Sequence, residues 1–183
     1  MSQLTFKFPF KTTYFKKDFY VSSNNFNVYR LIENWPKWPS KNINIYGPSG
    51  SSKTHLAFIF QEKINSLLVC SSDVDNTILE KIKDYQCIIL DNFKENLNEK
   101  LLFTIINQSI QDNQYLLINS RLPIRNFNIK LKDLKSRFES FVDLGIDLPT
   151  DDLLRVILTK YFSDMQIKVD IKLLEYILKN IER

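Results

Sequence analysis

The run Gly47-Pro48-Ser49-Gly50-Ser51-Ser52-Lys53-Thr54 holds the densest chemistry in the chain. A strand-like apolar stretch at 43–46 precedes it, and a helical apolar stretch starting His55-Leu56-Ala57 follows. Strand, glycine-bearing loop and helix, in that order, form the context of a phosphate-binding loop. Backbone N–H groups and the helix N-terminus together make a concave anion site there. Lys53 is expected to reach the β- and γ-phosphates and Thr54 to ligate Mg²⁺. One position departs from G-x-x-x-x-G-K-[ST]: Ser52 stands where the last glycine belongs. A Cβ there crowds the approach to phosphate, and a positive φ would cost it about 1–2 kcal/mol.

A second acid-bearing strand should complete such a site. Cys87-Ile88-Ile89-Leu90-Asp91 supplies it, with Asp91 as the Mg²⁺-orienting carboxylate; an acid that merely ends a buried strand is the alternative. Asn92 follows where a hydrolase carries a second acid, and an amide cannot take a proton from water. Nucleotide binding is thus better supported than hydrolysis, and any ATPase activity of the chain's own is expected to be weak or absent. Asn119 or Ser120, ending the stretch Tyr115-Leu116-Leu117-Ile118, stands where a residue sensing the γ-phosphate would sit. Arg137, in Leu134-Lys135-Ser136-Arg137-Phe138, is either a solvated surface arginine or a finger projected into a neighbouring subunit's site.

These side chains need a scaffold, and the apolar periodicity provides one. Short strand-like runs at 43–46, 67–70, 86–91, 115–119 and 141–144 alternate with helical runs at 53–64, 74–84, 97–111 and 133–138. That alternation predicts an α/β fold with a parallel sheet flanked by helices. Beyond Pro149 only helices are expected, at 150–162 and from 170 onward, with Thr150 and Asp170 as N-caps. The chain has 183 residues, 44% hydrophobic and 25% charged, which suits a folded domain and excludes a disordered tail or a fibre. It contains only 3 glycines, and Gly47 and Gly50 share one loop. Net charge is +4 without a basic arm, so sequence-specific DNA binding is not expected. Cys70 and Cys87 lack metal-ligand spacing and read as reduced core thiols, and a lone His55 cannot build a multi-histidine metal site. No apolar stretch is long enough for a membrane span, and the reduced thiols lead to the expectation of a cytoplasmic location.

In their order these pieces resemble the AAA+ module of the initiator DnaA, and more closely its regulators of the Hda/HdaA family. The resemblance rests on Asp18-Phe19-Tyr20-Val21-Ser22 with Asn24-Asn25, Trp35-Pro36-Lys37-Trp38-Pro39, the loop and helix start at 47–57, Leu90-Asp91-Asn92, Ser120-Arg121-Leu122-Pro123 and the segment 134–138. At the N-terminus, Gln3-Leu4-Thr5-Phe6-Lys7-Phe8 resembles the peptide with which Hda proteins grip the polymerase sliding clamp. There Gln3 offers amide hydrogen bonds and Leu4 and Phe6 fill an apolar pocket, with Phe8 completing the clamp-binding stretch, whereas the period-two alternation of Leu4, Phe6, Phe8 and Phe10 also suits an edge strand.

The resemblance implies an AAA+ P-loop NTPase core at 11–147, a clamp-binding peptide at 1–10, and at 148–183 a small helical lid, naturally short or truncated. Phe19 and Val21 would border the adenine. Gly47, Pro48, Ser49, Gly50, Ser51, Ser52, Lys53, Thr54, Asp91, Asn92, Asn119 and Ser120 would surround ADP or ATP. Arg183 matches a second phosphate sensor or is a solvated terminal arginine. Thr54 and Asp91 would hold Mg²⁺. The implied partners are DnaA and the sliding clamp (β subunit) of DNA polymerase III, with a homo-oligomer left open. The implied role is stimulation of ATP hydrolysis on DnaA through Arg137, repressing re-initiation. An initiator would add an oligomerisation domain and a DNA-binding domain, for which this chain has no room. Two other readings stay open: an adaptor that keeps the fold without nucleotide, and a helicase-loader-like ATPase acting on single-stranded DNA.

Overall fold

The structure is a computed structural model that describes residues 14–94 and 97–180. Five strands form one parallel sheet in the order β2-β3-β4-β1-β5. They are β1 (Asn42–Tyr46), β2 (Ser66–Cys70), β3 (Cys87–Phe93), β4 (Tyr115–Ser120) and β5 (Val142–Gly145). Helices α1 (Phe26–Glu33), α2 (Lys53–Gln61), α3 (Ile78–Lys81), α4 (Glu99–Gln111) and α5 (Lys132–Glu139) cover the sheet, and α6 (Asp151–Asp164) and α7 (Ile171–Asn180) follow it. Strand pairing across the centre runs Ile43↔Leu117 and Ile45↔Asn119 on one side and Ile88↔Leu116 and Leu90↔Ile118 on the other.

Successive residues of the central strands serve opposite faces, and both faces are dry, as a parallel sheet requires. Ile43, Ile45, Ile89 and Leu117 pack with Val28, Ile32, Leu56, Ile59 and Phe60 from α1 and α2. Ile88, Leu90, Leu116 and Ile118 pack with Leu101, Leu102, Ile105, Leu134 and Phe138 from α4 and α5. The Trp-Pro stretch closes the first of these cores: Trp38 stacks on Phe60 at 4.6 Å, and its Nε1 donates to the Leu31 carbonyl at 2.8 Å.

Several elements differ from the sequence expectation. Helix α1 is additional; Val28 and Ile32, four residues apart, are its buried residues, and Tyr29 and Leu31 pack partly against the same core. The expected helix at 74–84 is a single turn, α3, followed by a 3-10 turn at Ile82–Asp84. Asp75 breaks the longer helix by accepting the backbone N–H of Thr77 at 2.9 Å, a local alternative to helical bonding. Strand β3 continues past Asp91 to Phe93, because Asn92 adopts φ 54° and shifts the register, returning Phe93 to the core. The Thr150 cap is present, its Oγ1 accepting the Leu153 N–H at 3.3 Å.

Candidate nucleotide site

The carboxyl ends of β1, β3 and β4 lie side by side, and the loop from β1 to α2 rises over them. Gly47 opens the loop beneath Ile146: a Cβ there would stand 2.6 Å from the Ile146 carbonyl oxygen. Gly50 has φ +78°, the left-handed region that glycine enters without strain. Ser52, the N-cap of α2, is also left-handed at φ 64° and ψ 19°, so the strain anticipated for this position is real. Its side chain makes no cap hydrogen bond. Consecutive left-handed and right-handed residues at a helix start turn successive N–H groups inward, the geometry of an anion nest.

Lys53 is half-buried and donates to the carbonyls of Gly47 at 2.8 Å and Pro48 at 2.7 Å and to Ser51 Oγ at 3.0 Å. Burial pulls its pKa below the ordinary lysine value; the nearby Asp91 carboxylate opposes this, and Arg121 adds to it. Thr54 Oγ1 donates to Asp91 Oδ2 at 2.8 Å, so the hydroxyl and carboxylate expected to share a cation are in contact. Asn119 Nδ2 donates to the other oxygen of Asp91 at 2.9 Å and to the Lys53 carbonyl at 3.2 Å. The Asn119 Oδ1 is buried without a hydrogen-bond partner. One hydroxyl and one carboxylate beside a phosphate-shaped nest fit Mg²⁺, which is normally held by one or two carboxylates plus phosphate oxygens.

A cavity of about 590 Å³ opens between these elements, lined by Tyr14, residues Ser49 to His55, Cys70, Asp91, Asn92, Ser120 and Arg121. Tyr14 and His55 form its aromatic side: Tyr14 stacks on Phe58 at 4.6 Å and meets the His55 ring edge-on at 5.5 Å. The His55 Nε2 donates to the Phe15 carbonyl at 2.9 Å. Phe19 lies one layer out, edge-on to His55 at 5.2 Å and stacked on Tyr29 at 5.5 Å, so it supports the wall without lining it. Val21 is exposed and also outside the wall. Asn92 is exposed at the rim, its carbonyl accepting the Ser71 hydroxyl at 2.7 Å. The Ser120 hydroxyl is engaged elsewhere, donating to the Leu122 carbonyl at 2.6 Å and accepting from Asn44 Nδ2 at 2.8 Å. Of the two sensor candidates, Asn119 is the one in contact with Asp91.

Arg137 lies on the exposed face of α5, outside the cavity wall, because Leu134 and Phe138 point inward at 0% and 1% exposure. The Glu99 carboxylate at the start of α4 fixes the approach to α5, accepting the N–H groups of Lys130 at 3.0 Å and Leu131 at 2.7 Å. Gln3, Leu4, Phe6, Phe8 and Arg183 lie outside the described residues. Sequence reasoning did not select Tyr14, His55 or Arg121 as site residues. His55 directly follows Thr54, and Arg121 directly follows Ser120, so adjacency to the motifs was the available signal. Tyr14 carried no such signal.

Comparison with known proteins agrees with this architecture. No protein-family model matches the chain. It is 25% identical over 211 residues to the chromosomal replication initiator protein DnaA of Buchnera aphidicola subsp. Baizongia pistaciae, covering 100% of this chain and 46% of that protein. The chain therefore spans less than half the length of the curated relative. Among solved structures, domain III of the Thermotoga maritima replication initiation protein DnaA superposes with a TM-score of 0.76 at 18% identity, covering 94% of this chain and 83% of that one. AMPPCP-bound DnaA from Aquifex aeolicus superposes with a TM-score of 0.72 at 18% identity, covering 91% of this chain and 60% of that one. The fold is that of the DnaA AAA+ domain.

Proposed function

Starting from a chain homologous to the AAA+ part of DnaA, we propose that it is a nucleotide-holding regulator of replication initiation of the Hda type. In this reading the loop Gly47–Thr54 cradles the phosphates of ADP or ATP, and Tyr14 and His55 flank the base. Thr54 and Asp91 would hold Mg²⁺, whose chemistry is to neutralise phosphate charge. The observation that carries the nucleotide reading is the Thr54–Asp91 contact at 2.8 Å beside the anion nest.

The regulatory role follows from a division of labour between the cavity and the exposed face of α5. Among the described residues Asp91 is the one carboxylate on the cavity wall, and Asn92 at the rim cannot take a proton from water. Its own hydrolysis is accordingly weak. Arg137 is exposed on α5 and outside its own cavity, available to the nucleotide of a neighbouring molecule. That neighbour is DnaA carrying ATP, and the peptide at 1–10, with Gln3, Leu4, Phe6 and Phe8, tethers the complex to the polymerase sliding clamp. The core spans 11–147 and the helices beyond 148 act as the lid, with Arg183 as a second phosphate sensor.

The test is ATP hydrolysis by DnaA, with this protein, clamp-loaded DNA and ADP added in turn. Stimulation that depends on all three is expected. Arg137→Ala should retain nucleotide and clamp binding while losing the stimulation, for which arginine fingers typically supply ~10³–10⁵ in rate. Undiminished stimulation by that variant refutes the reading. The left-handed Ser52 favours one alternative, an adaptor that no longer binds nucleotide. Absence of co-purified ADP and of thermal stabilisation by ADP, with clamp binding intact, would select it.

A further inference from the structure

The helix pair α6–α7 carries more apolar side chains than it buries. Leu153, Leu174 and Leu178 are its buried residues, whereas Ile171 is 74%, Tyr176 66% and Leu173 51% exposed. Clustered apolar side chains left in water beside polar ones mark an interaction surface.

Part of this surface is concave. Arg155, Thr159, Phe162 and Ser163 stand at i, i+4, i+7 and i+8 of α6, one face of the helix, and line a groove of about 670 Å³. The chain then folds back over the end of α6 to make the opposite wall. Gln166 is left-handed at φ 58°, its N–H donating to the Ser163 carbonyl at 2.9 Å, and the Ile167 N–H donates to the Phe162 carbonyl at 2.8 Å. That pair of bonds is a Schellman closure of the helix end, and the side chains of both Phe162 and Ile167 line the groove. Val169, Ile171 and Leu174 complete the apolar part. Backbone hydrogen bonds thus fix the groove in the free chain, and a guest does not have to open it.

Charge and length decide what fits. Arg155 and Lys168 are the ionised side chains on the wall, with no carboxylate among its described residues. The Arg155 Nη1 donates to Glu175, which uses one of several guanidinium donors. Lys168 is exposed, and its ammonium, the Ser163 hydroxyl and the Gln166 amide have no partner among the described residues. Over 151–180 as a whole acids and bases are equal in number, so the positive surplus is confined to the groove. From Arg155 to Ser163 the helix rises about 12 Å, room for roughly two turns of a guest helix. Such a guest presents anchors at i, i+3 or i+4, and i+7. We propose that the groove between α6 and α7 binds an acidic amphipathic helix of another protein, its apolar face on Phe162, Ile167, Ile171 and Leu174 and its carboxylates on Arg155 and Lys168. An anionic membrane fits less well, because a charge-balanced helix pair offers a bilayer no basic face. The assignment is independent of the nucleotide reading, since none of these residues lines the nucleotide cavity.

Fluorescence anisotropy on the full chain tests it. The probe is a labelled synthetic helix of about 16 residues, with leucine at i, i+3, i+4 and i+7 and glutamate on the remaining face. A second probe carries lysine in place of every glutamate. The glutamate probe should bind at least about tenfold more tightly than the lysine probe, and added salt should weaken it. Lys168→Glu should weaken the glutamate probe by about tenfold and strengthen the lysine probe. Ile171→Ser changes a side chain too exposed to hold the fold, so it should weaken both probes by roughly three- to thirtyfold with circular dichroism and melting temperature unchanged. Equal affinity for the two probes, no binding of either, or indifference to Lys168→Glu overturns the proposal. Preferential binding to phosphatidylglycerol vesicles overturns it in favour of a lipid surface. A dimer in sedimentation that excludes the probe and is dissolved by Ile171→Ser overturns it in favour of a second copy of this chain.

Discussion

Ser52→Gly should make the protein more stable, although glycine at the start of a helix usually does the reverse. The wild-type residue sits at φ 64° and ψ 19°, where an L side chain is disfavoured by about 1–2 kcal/mol. Its hydroxyl offers no compensating cap bond. Glycine removes the clash but gives the unfolded chain more freedom, which offsets roughly 0.5–1 kcal/mol of the gain. The net expectation is about 0.5–1 kcal/mol, or ~1–4 °C in melting temperature for a chain of this size. Ser52→Ala is the informative control, because it keeps the Cβ and loses only the hydroxyl. Glycine should therefore exceed alanine by about 1 kcal/mol, whereas inside an ordinary helix alanine exceeds glycine by about that amount. Urea unfolding of the three proteins, compared at a common m-value, reads the difference directly. Alanine equal to or above glycine would refute the claim that backbone strain at position 52 is relieved by removing Cβ.

Three other outcomes follow from the same region. Gly47→Ala should destabilise by about 1–3 kcal/mol in urea unfolding, since its Cβ would meet the Ile146 carbonyl oxygen at 2.6 Å and only backbone movement could relieve it. Burial lowers the Lys53 pKa, so between that lowered value and the ordinary 10.5 the folded chain binds fewer protons than the unfolded one. Stability should therefore rise with pH across that window while nucleotide affinity falls, and Lys53→Met should flatten the rise when unfolding is repeated at a series of pH values. Thiol labelling should distinguish the two cysteines: Cys87 is buried, with its thiol pKa pushed up by desolvation, whereas half-buried Cys70 lines the cavity. Cys70 should label first and be protected by ADP; equal labelling rates, or no protection, would contradict the assignment of that wall.

The sheet was legible because its strands are buried on both faces and read as short continuous apolar runs bounded by polar turns. Lys53, Thr54 and Asp91 were legible for a different reason: phosphate and Mg²⁺ chemistry restricts residue type and spacing. Less visible was anything set by contacts between distant segments. Helix α1 buries only Val28 and Ile32 fully, too few for a periodic signal in a stretch rich in Asn and aromatic residues. The division of labour between Asn119 and Ser120 depends on Asn44, which lies 74 and 76 residues from its partners Ile118 and Ser120. Phe19 and Tyr14 are similar in character and near each other in sequence, yet only the stacking on Phe58 determines which of them reaches the cavity.

The segment entering the fold is gripped from two directions. On one side His55 holds the Phe15 carbonyl and Phe58 stacks on Tyr14. On the other, Lys160 of α6 pairs with Asp18 at 3.0 Å, while Asn24 and Asp147 exchange two hydrogen bonds of 3.2 Å each. These links join the aromatic wall to the helix pair in a closed mechanical loop. A pull on α6 is therefore delivered to Tyr14 and His55 directly, without passing through the sheet. Whatever leans on the helix pair from outside has a lever on the Tyr14–His55 end of the cavity, whereas the Lys53–Asp91 end is tied to the central strands through Asn119.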